Sequence, residues 1–199
     1  DLVDSPGSSE RDARLLAEII AAAKALFLEK GYRGGTTREI AEKAGIAEVT
    51  LFRHFGSKKD LFLSVVKPIF TDSLRNFIRT EEVHDVGALL RKLAADRIGV
   101  TGENSDLFRL LFYEMQFHED IKSEFSEIVM EILDALGSAV AAGQSRGEFK
   151  KIDPKEAGFI FFSSIVGAVI LRQIHGLGGE DIDNDMAVEV FLDGIRKRK

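Results

Sequence analysis

TTREIAEKAGIAEVTLFRHFGSKKDLF, residues 36–62, carries three helix starts and two helix stops in quick succession. Thr36 followed three positions later by Glu39 is a capping-box pair, in which side chain and backbone satisfy each other's N–H groups. The helix it opens turns Ile40, Ala41 and Ala44 inward and stops at Gly45. Barely a turn later, Glu48 to His54 is long enough for a second short helix, and Ser57 with Asp60 caps a third. Two short helices around a tight glycine turn have the form of a helix-turn-helix. Ala41 is small enough for close helix approach, and Ile46, Leu51 and Phe55 close a miniature core that sets the angle of the second helix. In such motifs the N-terminal side of that helix enters the major groove. Here it would present Glu48, Val49, Thr50, Arg53 and His54. An ordinary αα corner has the same spacing, so spacing alone leaves both readings open.

Outward from this stretch the apolar spacing stays helical and predicts an all-α chain. Upstream, Leu16, Ile19, Ile20, Ala23, Leu26 and Phe27 mark one stripe of a helix from about Asp12 to Lys30, ended by Gly31. Downstream, the helix capped by Ser57 is expected to run to about Arg79. Further helices are expected over 85–99, 105–117, 120–146, 153–173 and 185–197, with Phe125, Ile128, Ile132, Leu136 and Val140 as the stripe of the longest. The predicted organisation is a flexible arm over residues 1–10, a three-helix helix-turn-helix domain over 11–64, and a C-terminal helical bundle over 65–199.

The chain has 199 residues and a net charge of -6, with 45% hydrophobic and 30% charged residues, the balance of a soluble globular protein. An acidic chain argues against nucleic acid until the distribution is examined. Between Lys30 and Lys59 seven cations (Lys30, Arg33, Arg38, Lys43, Arg53, Lys58 and Lys59) stand against Glu39, Glu42 and Glu48. A local basic patch suffices for phosphate contact, since charge is felt over about 8–10 Å in physiological salt. The absence of cysteine excludes disulfides, thiolate zinc sites and cysteine nucleophiles, and predicts a cytoplasmic protein. The longest apolar run, Ala157 to Leu171, is shorter than the roughly 18–20 residues that cross a bilayer, so a buried helix and no membrane partner are expected.

The 36–62 stretch resembles the DNA-binding segment of the tetracycline-repressor (TetR) family, and Phe27-Leu28-Glu29-Lys30-Gly31-Tyr32 at the end of the first helix resembles it too. The resemblance covers about the first third of the chain. It implies that Thr36 and Thr37, with the neighbouring Arg38, meet a phosphate at the start of the second helix. It implies further that Glu48, Val49 and Thr50 sit where bases are read, and that Lys58 contacts the backbone. Arg53 and His54 are within reach of either phosphate or a base edge. Two positions depart from the family pattern. Phe52 stands where a tyrosine is usual and cannot offer a hydroxyl to phosphate, which leaves an aromatic prop and makes His54 the first choice as anchor. Ala47 stands where a capping serine is common, giving up about 0.5–2 kcal/mol if nothing replaces it.

For the C-terminal part, the resemblance implies a homodimer in which two late helices, about 153–173 and 185–197, pair with their copies. Phe159 to Leu171 is apolar nearly all round, which one small domain can hardly cover alone. Gly158, Ser164, Gly167 and Ala168 would permit close approach, with Leu171, Val188 and Phe191 completing the interface. A dimer places two recognition helices about 34–36 Å apart, the repeat of a palindromic operator in double-stranded DNA. The chain holds 15 phenylalanines, no tryptophan and two tyrosines. Phe77, Phe108, Phe112, Phe159 and Phe162, together with Phe117 and Phe125, are candidates to line a pocket for a small apolar or amphipathic effector. Arg109, Tyr113, Gln116 or His118 would be its polar handles. Aromatic residues at helical spacing equally serve a core. The resulting expectation is a repressor released when ligand favours a conformation that takes the recognition helices out of register. A DNA-bound structural or interaction protein without an inducer is the alternative.

No catalytic constellation is found, and no enzyme activity or cofactor is expected. His84, His118 and His175 are far apart in sequence. Asp181, Asp183 and Asp185 imitate the start of a calcium loop, but Met186 stands at the required glycine and Leu192 at the closing glutamate, so no metal site is expected. Gly34-Gly35 reads as a flexible turn.

Overall fold

The computed structural model of the protein describes residues 6–75, 85–177 and 184–197. Phe77, His84, Asp181 and Asp183 therefore lie outside the described residues, as do residues 1–5 of the expected arm. From Pro6 onward that arm is helical: α1 spans Pro6–Gly34. Proline suits a first helical turn because its φ is preset and its missing N–H would have no partner there. Gly31 interrupts α1 with φ 72 and ψ 173, as a glycine at a helix end can.

The following elements are α2 (Thr37–Lys43), α3 (Glu48–Phe55), α4 (Lys58–Lys67), a π-turn (Pro68–Asp72), α5 (Val86–Glu103), α6 (Ser105–Glu114), α7 (Glu119–Ser145), α8 (Pro154–Gln173) and α9 (Asn184–Ile195). Among the described residues there is no strand, only an isolated bridge between Phe149 and Arg196. The expected single helix from Ser57 changes pitch at Pro68, which has no N–H to give to the α-helical ladder. The five-residue π-turn that follows is answered from α5. Arg97, buried, donates from Nη1 to the Phe70 carbonyl at 3.0 Å and from Nη2 to Ser73 Oγ at 3.1 Å, while Asp96 pairs with the same guanidinium.

The chain forms two compact units, residues 1–69 with 110–121, and residues 70–109 with 122–199. The break thus falls after Ile69 rather than at 64, and a stretch expected in the C-terminal bundle belongs with the N-terminal unit. The first unit is cored by Ile19, Ala23, Leu26 and Phe27 of α1, Ile40 and Ala41 of α2, Leu51 of α3, and Leu61, Phe62, Val65 and Val66 of α4. Phe27 and Phe62 meet edge to face at 5.4 Å, a preferred arrangement of aromatic quadrupoles. Gly35 is packed tightly, contrary to the reading of Gly34-Gly35 as a loose turn. A methyl group there would lie 3.1 Å from the Phe27 ring and 3.3 Å from the Leu26 carbonyl.

In the second unit α5, α7, α8 and α9 share one core, to which the expected α7 stripe contributes Ile128, Ile132, Leu136 and Val140. Asp85 caps α5 by accepting from Ala88 N. Asp153 caps α8 by accepting from the N–H groups of Lys155 and Glu156, with Pro154 in the first turn. Gly143 of α7 leaves the space that the Phe149 ring fills: a Cβ there would meet the ring at 2.3 Å.

Candidate nucleic-acid interface

The recognition helix is built by local chemistry. Thr36 Oγ1 accepts from Glu39 N at 3.2 Å while Glu39 Oε2 accepts from Thr36 N at 3.1 Å, the reciprocal cap expected of this pair. Lys30 Nζ adds an ion pair to Glu39 at 2.8 Å. Together the Lys30 ammonium and the Thr36 donors pull the Glu39 carboxyl down to about 2. After α2, Gly45 takes φ 69, where a β-carbon would be strained, and so turns the chain into α3. Ala47 begins α3 with no side-chain cap. Ser57 begins α4 by accepting from Asp60 N at 3.1 Å.

The inner face of α3 is anchored by Leu51, which is fully buried. Its outer face carries Val49, 74% exposed, with Phe52 and the exposed Arg53. Thr50 is half-buried. Among the phosphate candidates, Arg38 is exposed and paired with Glu42 at 3.1 Å, and Thr36 is engaged in its cap. Thr37 Oγ1 donates to Glu48 Oε1 at 2.6 Å, which ties the first residue of α2 to the first residue of α3.

Two candidates sit differently from expectation. His54 turns Nε2 into the protein, where it is shielded and has no hydrogen-bond partner, so this atom is not offered to a phosphate. Lys58 is half-buried: its Nζ lies 4.9 Å above the Tyr32 ring and donates to the Arg33 carbonyl at 3.3 Å. Burial lowers its pKa, against the opposing pull of Glu114 and Glu39.

Sequence spacing gave no hint of what surrounds Lys58. Tyr32 packs its ring on Phe27, Phe62 and His118 at 5.1–5.8 Å. Burial, then Asp120 and Glu114, raise its pKa. Glu114, a buried carboxylate, faces His118 Nε2 at 3.4 Å, and Asp120 faces Lys59 at 3.6 Å. Segment 110–121 thus packs on α1 and α4, and His118 belongs here rather than to an effector pocket.

The residues expected to line such a pocket are divided between the units. Phe112, Tyr113 and Gln116 lie in the first, Phe108, Arg109, Phe159 and Phe162 in the second. Phe108 and Phe162 are half-buried against the second core, and Phe125 is buried. Phe159, Tyr113 and Phe117 are about 60% exposed, and Arg109 is exposed and paired with Asp106. A cavity of about 210 Å³ in the second unit is lined instead by Asp85, Gly87, Glu148, Phe149, Leu192, Arg196 and Lys197.

On the expected dimer faces, Ser164 and Leu171 are exposed, and Gly167 and Ala168 are half-buried, with open space at the missing Cβ of Gly167. Two residues face inward instead. Val188 is fully buried in its own core, and Gly158 is pressed on α7, where a Cβ would sit 3.1 Å from Leu136 and Gly137 atoms. Phe191 is half-buried with its ring 5.0 Å from Phe161. The α8 segment is long and apolar enough to cross a membrane by composition, yet only 28% of it is buried in this chain. The expectation of a buried helix thus holds for one face alone. Phe159, Ile160, Val166 and Leu171 of α8 are left uncovered, as are Met186 and Val190 of α9.

Residues 19–65 match the family model described as bacterial regulatory proteins, tetR family. The HTH-type transcriptional regulator YvkB of Bacillus subtilis is 27% identical over 154 residues, which cover 77% of this chain and 80% of that protein. Among solved structures, NalD, the secondary repressor of the MexAB-OprM multidrug efflux pump in Pseudomonas aeruginosa, superposes with a TM-score of 0.76 at 21% identity. That match covers 96% of this chain and all of NalD. The transcriptional regulator FadR from Bacillus subtilis, solved in complex with stearoyl-CoA, gives a TM-score of 0.69 at 20% identity, covering 89% of this chain and 95% of FadR. At these identities the two structures speak for the fold.

Proposed function

The chain belongs to the TetR family of bacterial transcriptional regulators, and on that premise we propose that it binds a palindromic operator as a homodimer, represses from it, and is released by a small, largely apolar ligand. The observation that carries the DNA reading is α3 itself. Leu51 pins it from inside while Val49, Phe52 and Arg53 stand uncovered on the outside. Such a helix keeps its angle when it enters a groove, and its outer side chains are available to base edges and phosphates. The homodimer is supported by the apolar outer faces of α8 and α9, since contiguous exposed apolar surface of this kind marks an interaction site.

The ligand is proposed to lodge among half-buried phenylalanines of the second unit, Phe108 and Phe162, which have apolar area to offer. The acyl chain of the ligand in the FadR complex indicates the chemical class. Such a ligand shifts the protein toward the released state only by as much as it binds that state better. The relatives are regulators of transcription, which tells against a purely structural DNA-bound role.

The test is selection of binding sites from random duplex DNA at two salt concentrations, because phosphate contacts make affinity salt-dependent. An enriched palindrome with half-sites one helical turn apart is expected. Salt-sensitive binding without an enriched sequence overturns the reading. Titrating long-chain acyl-CoA against the selected complex then tests release, and saturation with unchanged DNA affinity rejects that ligand class.

A further inference from the structure

We propose that Glu48, held in place by Thr37, reads a cytosine in each half-site. The inference rests on the reading that the N-terminal end of α3 enters the major groove. Glu48 is the first residue of α3, and Ala47 before it supplies no side-chain cap. What holds this end of the helix laterally is the 2.6 Å hydrogen bond from Thr37 Oγ1 to Glu48 Oε1, across eleven positions and partly buried. A glutamate on a helix surface ordinarily samples many rotamers, and ordering it on DNA opposes binding. Here one carboxylate oxygen is fixed before DNA arrives. The other, Oε2, takes no hydrogen bond among the described residues and keeps its acceptor capacity.

A carboxylate only accepts hydrogen bonds, and this restricts what it can face. Guanine presents the acceptors N7 and O6 in the major groove, and thymine presents O4. Adenine sets its N6 amino group beside the acceptor N7. Cytosine alone offers an amino donor, N4, with no acceptor next to it on that edge. A tethered carboxylate therefore accepts from cytosine and is repelled to differing degrees by the other three bases. Thr37 acts as a positioning residue, because its hydroxyl chooses which oxygen is spent within the protein and which is spent on the base.

The experiment is site selection with the full chain and with its Glu48→Gln, Thr37→Val and Thr37→Ser variants, each checked for native helix content and melting. The unsubstituted protein is expected to enrich a palindrome with cytosine at one mirrored pair of positions. Glu48→Gln keeps an acceptor for Thr37 but gains a donor, and glutamine pairs with adenine N6 and N7. It is expected to lose about tenfold of the cytosine preference at that pair alone and move toward adenine. Thr37→Val is expected to blur the same pair, and Thr37→Ser to restore it. A contact that merely braces α2 against α3 would instead weaken all sequences alike. An enriched palindrome whose base preferences are unchanged in Glu48→Gln and Thr37→Val overturns this inference and leaves the regulator reading standing. No palindrome from the unsubstituted protein overturns both.

Discussion

α3 and α8 each leave a face uncovered by their own unit, and the chemistry of the two faces differs. α3 is eight residues long, held by one fully buried leucine and by polar links at its neighbours' ends, and it turns out a short row with an arginine in it. α8 is twenty residues long and apolar nearly all round. Its inner side chains Phe161, Ile165 and Val169 are buried, and its outer Phe159, Ile160, Val166 and Leu171 are not. A mixed polar row can remain in water until a charged partner comes, because water solvates it at little cost. An apolar row of that length is costly to hydrate, so it asks for a permanent cover. The same criterion, exposure, thus marks a surface for intermittent contact in one helix and for constitutive contact in the other.

The contrast breaks most visibly on the α8 side. Phe159→Glu combined with Ile160→Glu places two carboxylates on the outer face without touching the core. Sedimentation should show monomers with unchanged helix content. Operator affinity should fall by about 10²–10⁴-fold, the gain that coupling two half-sites provides. A persistent dimer would mean that another surface joins the copies. On the α3 side, Leu51→Ala should cost about 2–5 kcal/mol in thermal or denaturant unfolding, whereas Val49→Ala on the exposed face should fall within about 0.5 kcal/mol. Equal losses at the two positions would contradict the inward and outward division of this helix. The smallest effect belongs to the cap of α2. Since Glu39 is held at about 2 by Lys30 and Thr36, its contribution is fully present above the ordinary carboxylate range and is lost as pH falls through about 2. Following the Glu39 carboxyl by NMR should show that low midpoint, and Lys30→Met should move it upward.

What could be read from the sequence was what neighbouring residues decide among themselves. The Thr36–Glu39 cap, the glycine turn at Gly45, the bare Ala47 and the Ser57–Asp60 start each depend on residues a few positions apart, so the letters contain the whole interaction. The α7 stripe was legible for a similar reason, because a polar opposite face tells inside from outside. α8 has no such opposite face. Periodicity therefore could not say that Gly158 packs on α7 while Ser164 faces out, and in α9 it did not reveal that Val188 is sealed in its own core. The Lys58–Tyr32–Glu114 neighbourhood and the Thr37–Glu48 bond were hidden because they join positions that only the folded backbone brings together. The turned-in Nε2 of His54 was invisible on different grounds, since a side-chain rotamer leaves no trace in spacing.

The π-turn at Pro68–Asp72 carries a consequence of phase. A π-turn accommodates one residue more than the α-turn it replaces, and one residue is about 100° of helical rotation. Leu74 is buried and Arg75 holds both oxygens of Glu131 at 2.9 Å only because the surplus residue has been absorbed upstream. A chain one residue shorter within 68–72 could relax to plain α-helix. It would then swing Leu74 out of its core and Arg75 off Glu131. Such a segment tolerates substitution far more readily than deletion, and its length, more than its composition, is what descent should preserve.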